Sequence, residues 1–114
     1  SHFITAYTAA IDRCLAQGIN KVILVIPPEP NSSAISVALS VWRSFRDAIY
    51  TIQASRSDDV AIVDMGYFIN YAAYDATNSL RGGLLASDGL HLSVGGHALL
   101  GHILADYIAW GFGY

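Results

Sequence analysis

The chain has 114 residues, of which 54% are hydrophobic and 13% are charged, and this composition predicts one small domain with a buried core rather than a disordered polypeptide. The formal net charge is −3, from nine acidic and six basic residues without runs, which argues against a protein that binds nucleic acid or an anionic membrane surface. The single cysteine, Cys14, excludes an intrachain disulfide, and its place on an apolar helical stripe favours a buried thiol.

The first part of the chain shows the pattern of a helix followed by a strand. Apolar residues from Phe3 to Leu15 recur at helical spacing, and Gly18 stands where a left-handed residue ends a helix. Val22–Ile26 is a short, branched, continuously apolar run that stops at two prolines. This run is typical of an interior parallel strand.

A second helix and a second strand follow. The Asn-Ser-Ser run at 31–33 offers N-cap oxygens, and apolar residues from Ile35 to Ile52 then mark one face of a long helix. Residues 60–63 form another short apolar run, closed by Asp64, which predicts a second interior strand. Residues 65–87 show no regular pattern, and we expect a loop at the Arg-Gly-Gly of 81–83.

The last predicted element is a helix from residue 94 onward, with Ser93 as its N-cap. Residues 94–110 form the most apolar long stretch, but they contain His97, His102, Asp106 and three glycines, which are costly in lipid. We therefore expect a buried or half-buried helix of a soluble domain and no membrane span. The start of the sequence also lacks the charged and then apolar pattern of a signal peptide.

The order helix, strand, helix, strand, helix predicts an α/β fold, in which helices cover both faces of a parallel sheet. Two strands are too few to bury both helix layers, and the apolar content is high for a stand-alone domain of this length. We therefore interpret residues 1–114 as the C-terminal half of a single larger domain. The alternative is a compact two-stranded module with exposed strand edges.

The loop before the last helix carries the leading candidate for chemistry, Asp88-Gly89-Leu90-His91. Parallel sheets bind ligands beyond the carboxyl ends of their strands, and we expect this loop to meet residues 27–30 and 64–66 there. An Asp three residues before a His, with a glycine that permits a tight turn, can hold the imidazole Nδ1 and leave Nε2 facing a nucleophile. From spacing alone, a turn with a structural histidine is the commoner explanation.

The residues around this tetrapeptide resemble the last block of the SGNH, or GDSL-type, esterase and lipase family. In that block an Asp-x-x-His pair precedes a small-residue helix, as residues 88–93 precede Gly95-Gly96-His97 here. The predicted helix and strand of residues 3–28 are similar to those that follow the family's Asn-bearing block. The resemblance implies a three-layer α/β/α, flavodoxin-like fold, of which this chain is the C-terminal part.

The same resemblance implies a serine esterase in which His91 is the general base and Asp88 orients it. The implied substrate is a carboxylic ester, such as an O-acetyl group on a carbohydrate or a lipid ester, and no cofactor is implied. The family's Gly-Asp-Ser block and its oxyanion Gly and Asn are missing from this sequence, and so is a Gly-x-Ser-x-Gly elbow. An upstream half, in the same polypeptide or a second chain, would supply them. The alternative is a non-catalytic, SGNH-like carbohydrate-binding or assembly module in which Asp88 and His91 are structural.

Other side chains have structural explanations beside functional ones. His97 and His102 suggest a metal site, but their five-residue spacing turns them apart and no Cys or carboxylate cluster completes the set, so we expect none. Asp64 either lies in a site or caps a turn, and Glu29 either lines a cleft or keeps a loop soluble. Four aromatic residues could form a platform that binds a sugar, although packing is the commoner role for such side chains: Trp42, Tyr67, Tyr71 and Tyr74.

Overall fold

A computed structural model describes residues 2–30, 36–68, 84–86 and 90–111. They form five main elements: α1 (His2–Ala16), β1 (Val22–Ile26), α2 (Leu39–Ala54), β2 (Val60–Asp64) and α3 (Val94–Asp106). A 3₁₀ turn, Met65–Tyr67, follows β2 directly, and a π-helical turn, Tyr107–Gly111, continues α3. The predicted alternation of helices and strands is confirmed, and with it the mixed α/β class.

The two strands pair in parallel, as the sequence predicts. Val22 lies opposite Val60, and Ile26 lies opposite Asp64. Both strands therefore end at the same edge, where Pro27 follows β1 and the 3₁₀ turn follows β2. Within the described part of the chain the sheet has only these two strands.

Side chains of the strands alternate between the two faces of the sheet, and each face has its own apolar cluster. The cluster shared with α1 and α2 contains four buried residues, Ile11, Leu24, Ile52 and Val60. The cluster on the opposite face, shared with α3, contains Val63, Met65, Leu85 and Ile103. Helices thus cover both faces, the arrangement expected of a parallel sheet.

The end of α1 agrees with the sequence prediction, but the burial of its cysteine does not. Gly18 has a φ of +91°, the left-handed conformation that glycine adopts without steric cost, and it ends the helix. Cys14 is a free thiol that is half-buried. The prediction of a buried thiol was therefore wrong. Among the residues of α1, only Ile11 is buried.

The start of α2 lies later in the chain than predicted. Its N-cap is Ala38, which has an extended backbone (φ −63°, ψ 144°) and makes no side-chain cap. The predicted start at 31–33 was therefore wrong, and those residues and Ile35 lie outside the described residues. A helix is stabilised mainly by the packing of its apolar face, so a run of cap-type side chains does not by itself fix where the helix begins.

Met65, directly after β2, tests how much the cluster beneath α3 contributes to stability. Its side chain is fully buried, so Met65→Ala should leave a cavity and lower the free energy of unfolding by about 2–5 kcal/mol. Urea denaturation followed by circular dichroism measures the change. Val94→Ala is the control, because Val94 is 90% exposed. Equal losses for the two variants would contradict the packing described here.

Candidate functional site

His91 lies in a short antiparallel pairing that precedes α3. Leu85 and Leu92 form a β-bridge, and the backbone N–H of Ala86 donates to the carbonyl oxygen of His91 at 2.8 Å. His91 itself is exposed. The hydrogen bond holds the backbone of His91 in place, while the residue itself is accessible to solvent. A general base needs both properties in order to reach a ligand. Asp88, the predicted orienting carboxylate, lies outside the described residues.

The start of α3 is fixed by a close approach of two backbone segments. The N–H of Ser93 donates to the carbonyl oxygen of Leu84 at 3.0 Å, and the Ser93 hydroxyl accepts from the N–H of Gly96 at 3.1 Å, which confirms Ser93 as the N-cap. A Cβ on the buried Gly96 would overlap the carbonyl oxygen of Leu84 and lie 3.1 Å from Cβ of Leu92. The absent side chain of Gly96 therefore sets how near α3 lies to the segment before His91.

The pairing that holds His91 packs against the carboxyl end of β2. Leu85 is buried in one cluster with Val63, near the end of β2, and with Met65, directly after it. Leu92 packs against the same cluster. His91 is next to Leu92 in the chain, so its backbone adjoins the cluster that contains Val63 and Met65. Parallel sheets bind ligands beyond the carboxyl ends of their strands.

The carboxylate of Asp64, the last residue of β2, accepts two hydrogen bonds. Its Oδ1 accepts from the backbone N–H of Gly66 at 2.9 Å, and its Oδ2 accepts from the Tyr50 hydroxyl at 2.6 Å. Burial raises the pKa of the Tyr50 hydroxyl well above its ordinary value, and the hydrogen bond to Asp64 and the negative charge of that carboxylate raise it further. Asp64 caps the 3₁₀ turn, as the structural explanation predicts. No sequence pattern identified Tyr50 as its partner.

Glu29, in the segment after β1, is paired with Arg43 of α2. Nε of Arg43 donates to Oε2 at 2.9 Å and Nη2 donates to Oε1 at 2.7 Å, which is a bidentate arrangement. The hydrogen bonds and the negative charge of Glu29 raise the pKa of Arg43. Glu29 therefore ties its loop to α2, a role that neither sequence interpretation included.

An apolar groove lies at the end of β1 between α1 and α2. It encloses about 300 Å³, and its walls include Phe3, Tyr7, Val25, Trp42, Phe45 and Arg46. Trp42 is half-buried here rather than packed in the core. Tyr67 is 81% exposed, so a packing role for it is wrong, while Tyr71 and Tyr74 lie outside the described residues.

The described residues form neither a cluster of metal ligands nor a helix that could span a membrane. His97 and His102 are both exposed on α3. No three His, Cys, Asp or Glu side chains in the described ranges are grouped closely enough to hold a metal ion. No helix in these ranges is long and apolar enough to cross a bilayer.

Comparison with known proteins adds no relative. No protein-family model, curated protein or solved structure matches the chain. The structure by itself therefore shows the mixed α/β class, with the residue after His91 packed against the cluster that contains Val63 and Met65. A family assignment rests on the motif in the sequence.

Substitution of Gly96 tests the contact that positions the His91 segment. Gly96→Ala should lower the free energy of unfolding by about 1–3 kcal/mol, because the new Cβ forces α3 away from Leu84. Gly101→Ala is a matched control, since nothing lies within 4 Å of a Cβ at Gly101, and it should stabilise the helix by up to about 1 kcal/mol. Urea denaturation compares the two. Stabilisation by both substitutions would contradict the close approach.

The bond between Tyr50 and Asp64 predicts a pH-dependent stability. The pKa of Tyr50 is raised in the folded protein. The stability that Tyr50 contributes is therefore fully present below its unfolded pKa of about 10, and it is lost as the pH rises from there toward the raised folded pKa. Tyr50→Phe should cost about 1 kcal/mol at pH 7, since the group is only half-buried. Urea denaturation from pH 7 to 11 should show this difference shrinking above pH ~10. A difference that stays constant would contradict the raised pKa.

Proposed function

We propose that this chain supplies the base and the orienting carboxylate of a serine-type, SGNH-like esterase. His91 is the general base and Asp88 its orienting partner, and the nucleophilic serine comes from a segment outside residues 1–114. The chain is then the C-terminal half of an SGNH-like domain. In the described residues, a sheet of two strands has helices on both faces, which agrees with such a part, since larger sheets are usual for this architecture.

The observation that carries the proposal is the position of His91. The residue is exposed, its carbonyl is bonded to Ala86, and the adjacent Leu92 packs against the cluster at the end of β2. A base for a serine must be accessible at its Nε2 and fixed in position. A turn at the opposite edge of the sheet would not meet a ligand bound beyond the strands.

The proposed reaction is acyl transfer in two stages. His91 accepts the proton of the serine hydroxyl as the oxygen attacks the ester carbonyl, and it then gives that proton to the departing alcohol. A water molecule, deprotonated by His91, then attacks the acyl carbonyl; the bond to the serine oxygen breaks, His91 returns the proton to that oxygen, and the carboxylic acid leaves. Asp88 accepts a hydrogen bond from Nδ1 and stabilises the imidazolium that forms in each stage. The substrate class is a carboxylic ester, an O-acetylated carbohydrate or a lipid ester.

The proposal is tested on the polypeptide translated from the complete gene. It should react with a fluorophosphonate probe and hydrolyse p-nitrophenyl acetate, and His91→Ala should lower kcat by about 10²–10⁴-fold. His97→Ala is the control, because His97 is also exposed and lies six residues further along the chain. Its kcat should stay near that of the unchanged protein.

Two outcomes would contradict the enzyme. One is a polypeptide that neither labels nor hydrolyses the ester, and the other is a His91→Ala variant whose rate equals that of His97→Ala. Either result would leave the alternative of a non-catalytic carbohydrate-binding or assembly module. The 114 residues alone should be inactive in both cases, because the sequence has no Gly-Asp-Ser block.

A further inference from the structure

An exposed tyrosine lies at the carboxyl end of β2. Tyr67 is the last residue of the 3₁₀ turn that follows the strand, and it is 81% exposed, against 48% for its neighbour Phe68. Asp64 caps this turn, because its Oδ1 accepts from the backbone N–H of Gly66 at 2.9 Å. The backbone that carries the tyrosine is therefore fixed to the end of the strand, while the side chain is open to solvent.

The hydroxyl of Tyr67 belongs to a polar network. The Tyr50 hydroxyl donates to Oδ2 of Asp64 at 2.6 Å. The pKa of Tyr50 is raised by burial, then by Asp64, and last by the charge and the hydrogen bond of the Tyr67 hydroxyl, so the two hydroxyls are neighbours. Tyr67 is thus restrained at its polar end, and a restrained tyrosine offers contact area to a ligand at a low cost in conformational entropy.

The groups joined to Tyr67 favour a ligand that has both an apolar face and hydroxyl groups. Each oxygen of the half-buried Asp64 accepts one hydrogen bond, although a carboxylate oxygen has two lone pairs. A sugar ring offers a face of C–H groups to an aromatic ring and a rim of hydroxyls to such acceptors. An alkyl chain in the same place would remove water from the carboxylate without replacing its hydrogen bonds, which costs free energy.

Tyr67 is also connected to the segment of the proposed base. Met65, two residues before Tyr67, belongs to the buried cluster against which Leu92 packs, and Leu92 directly follows His91. The tyrosine and the histidine therefore adjoin one packed group of side chains. A ligand of several sugar units is long enough to contact both residues.

We propose that Tyr67 is the platform on which the carbohydrate part of an acylated sugar stacks. The C–H face of the sugar packs on the exposed ring of Tyr67, and hydroxyls of the sugar donate to Asp64. This inference rests on the proposed function, because it selects the O-acetylated carbohydrate over the lipid ester as the substrate class.

Isothermal titration calorimetry tests the platform in the polypeptide translated from the complete gene, with xylohexaose, cellohexaose and chitohexaose as probes. At least one of the three should bind with a Kd below about 1 mM. Tyr67→Ala should weaken that binding by about tenfold or more, because it removes the ring, and Tyr67→Phe should retain most of the affinity. Binding of none of the probes would overturn the proposal, and so would equal affinities of Tyr67→Ala and the unchanged protein.

Tyr7→Ala is the matched control, because Tyr7 is 37% exposed and lines the apolar groove between α1 and α2. This variant should bind the sugar as the unchanged protein does. Equal losses of affinity in Tyr7→Ala and Tyr67→Ala would overturn the platform. Octanoate is the probe for an acyl chain, and octanoate binding that is lost in Tyr67→Ala would also overturn it, since the ring would then hold a lipid.

The two proposals fail separately, because sugar binding is measured without ester hydrolysis. Sugar binding that depends on Tyr67, in a polypeptide without esterase activity, would overturn the esterase and leave the platform in place. Esterase activity that depends on His91, without sugar binding that depends on Tyr67, would overturn the platform alone.

Discussion

The parallel pairing of β1 with β2 is the constraint on which the rest of the structure depends. Its register places the carboxyl ends of both strands at one edge, and its alternation sends their side chains to two separate clusters. A shift by one residue would move each set of side chains to the opposite face. The layer of α1 and α2, the layer of α3 and the shared edge at which both strands end are all arranged around this one register.

The position of His91 depends next on how closely α3 lies against the preceding segment. Backbone bonds at Ala86 and Ser93 hold that segment, and Gly96 allows α3 to meet the carbonyl oxygen of Leu84. The apolar residues on either side of the pairing then bury themselves against the end of β2. Buried neighbours on both sides of the pairing thus hold the backbone of an exposed histidine in place.

Much of the fold was predictable because its signals are local. Branched apolar runs predict the two strands. Gly18 predicts where α1 ends, and Ser93 predicts where α3 begins. The start of α2 was mispredicted, because the packing of a helix outweighs a run of cap-type residues. The partners of Asp64 and Glu29 were not predicted, since each lies 14 residues away in sequence. Only the folded chain selects a partner at that separation.

The sequence by itself determined the alternation of elements, the parallel class of the sheet and the motif that makes His91 a candidate base. These properties depend on periodicity, branching and cap residues, which act over a few neighbouring positions. The tertiary structure alone decided that Asp64 and Glu29 are held by Tyr50 and Arg43, and how closely α3 meets Leu84. Those outcomes depend on contacts between segments that are distant in the sequence. The register of the sheet and the absent Cβ of Gly96 set how closely these segments approach each other.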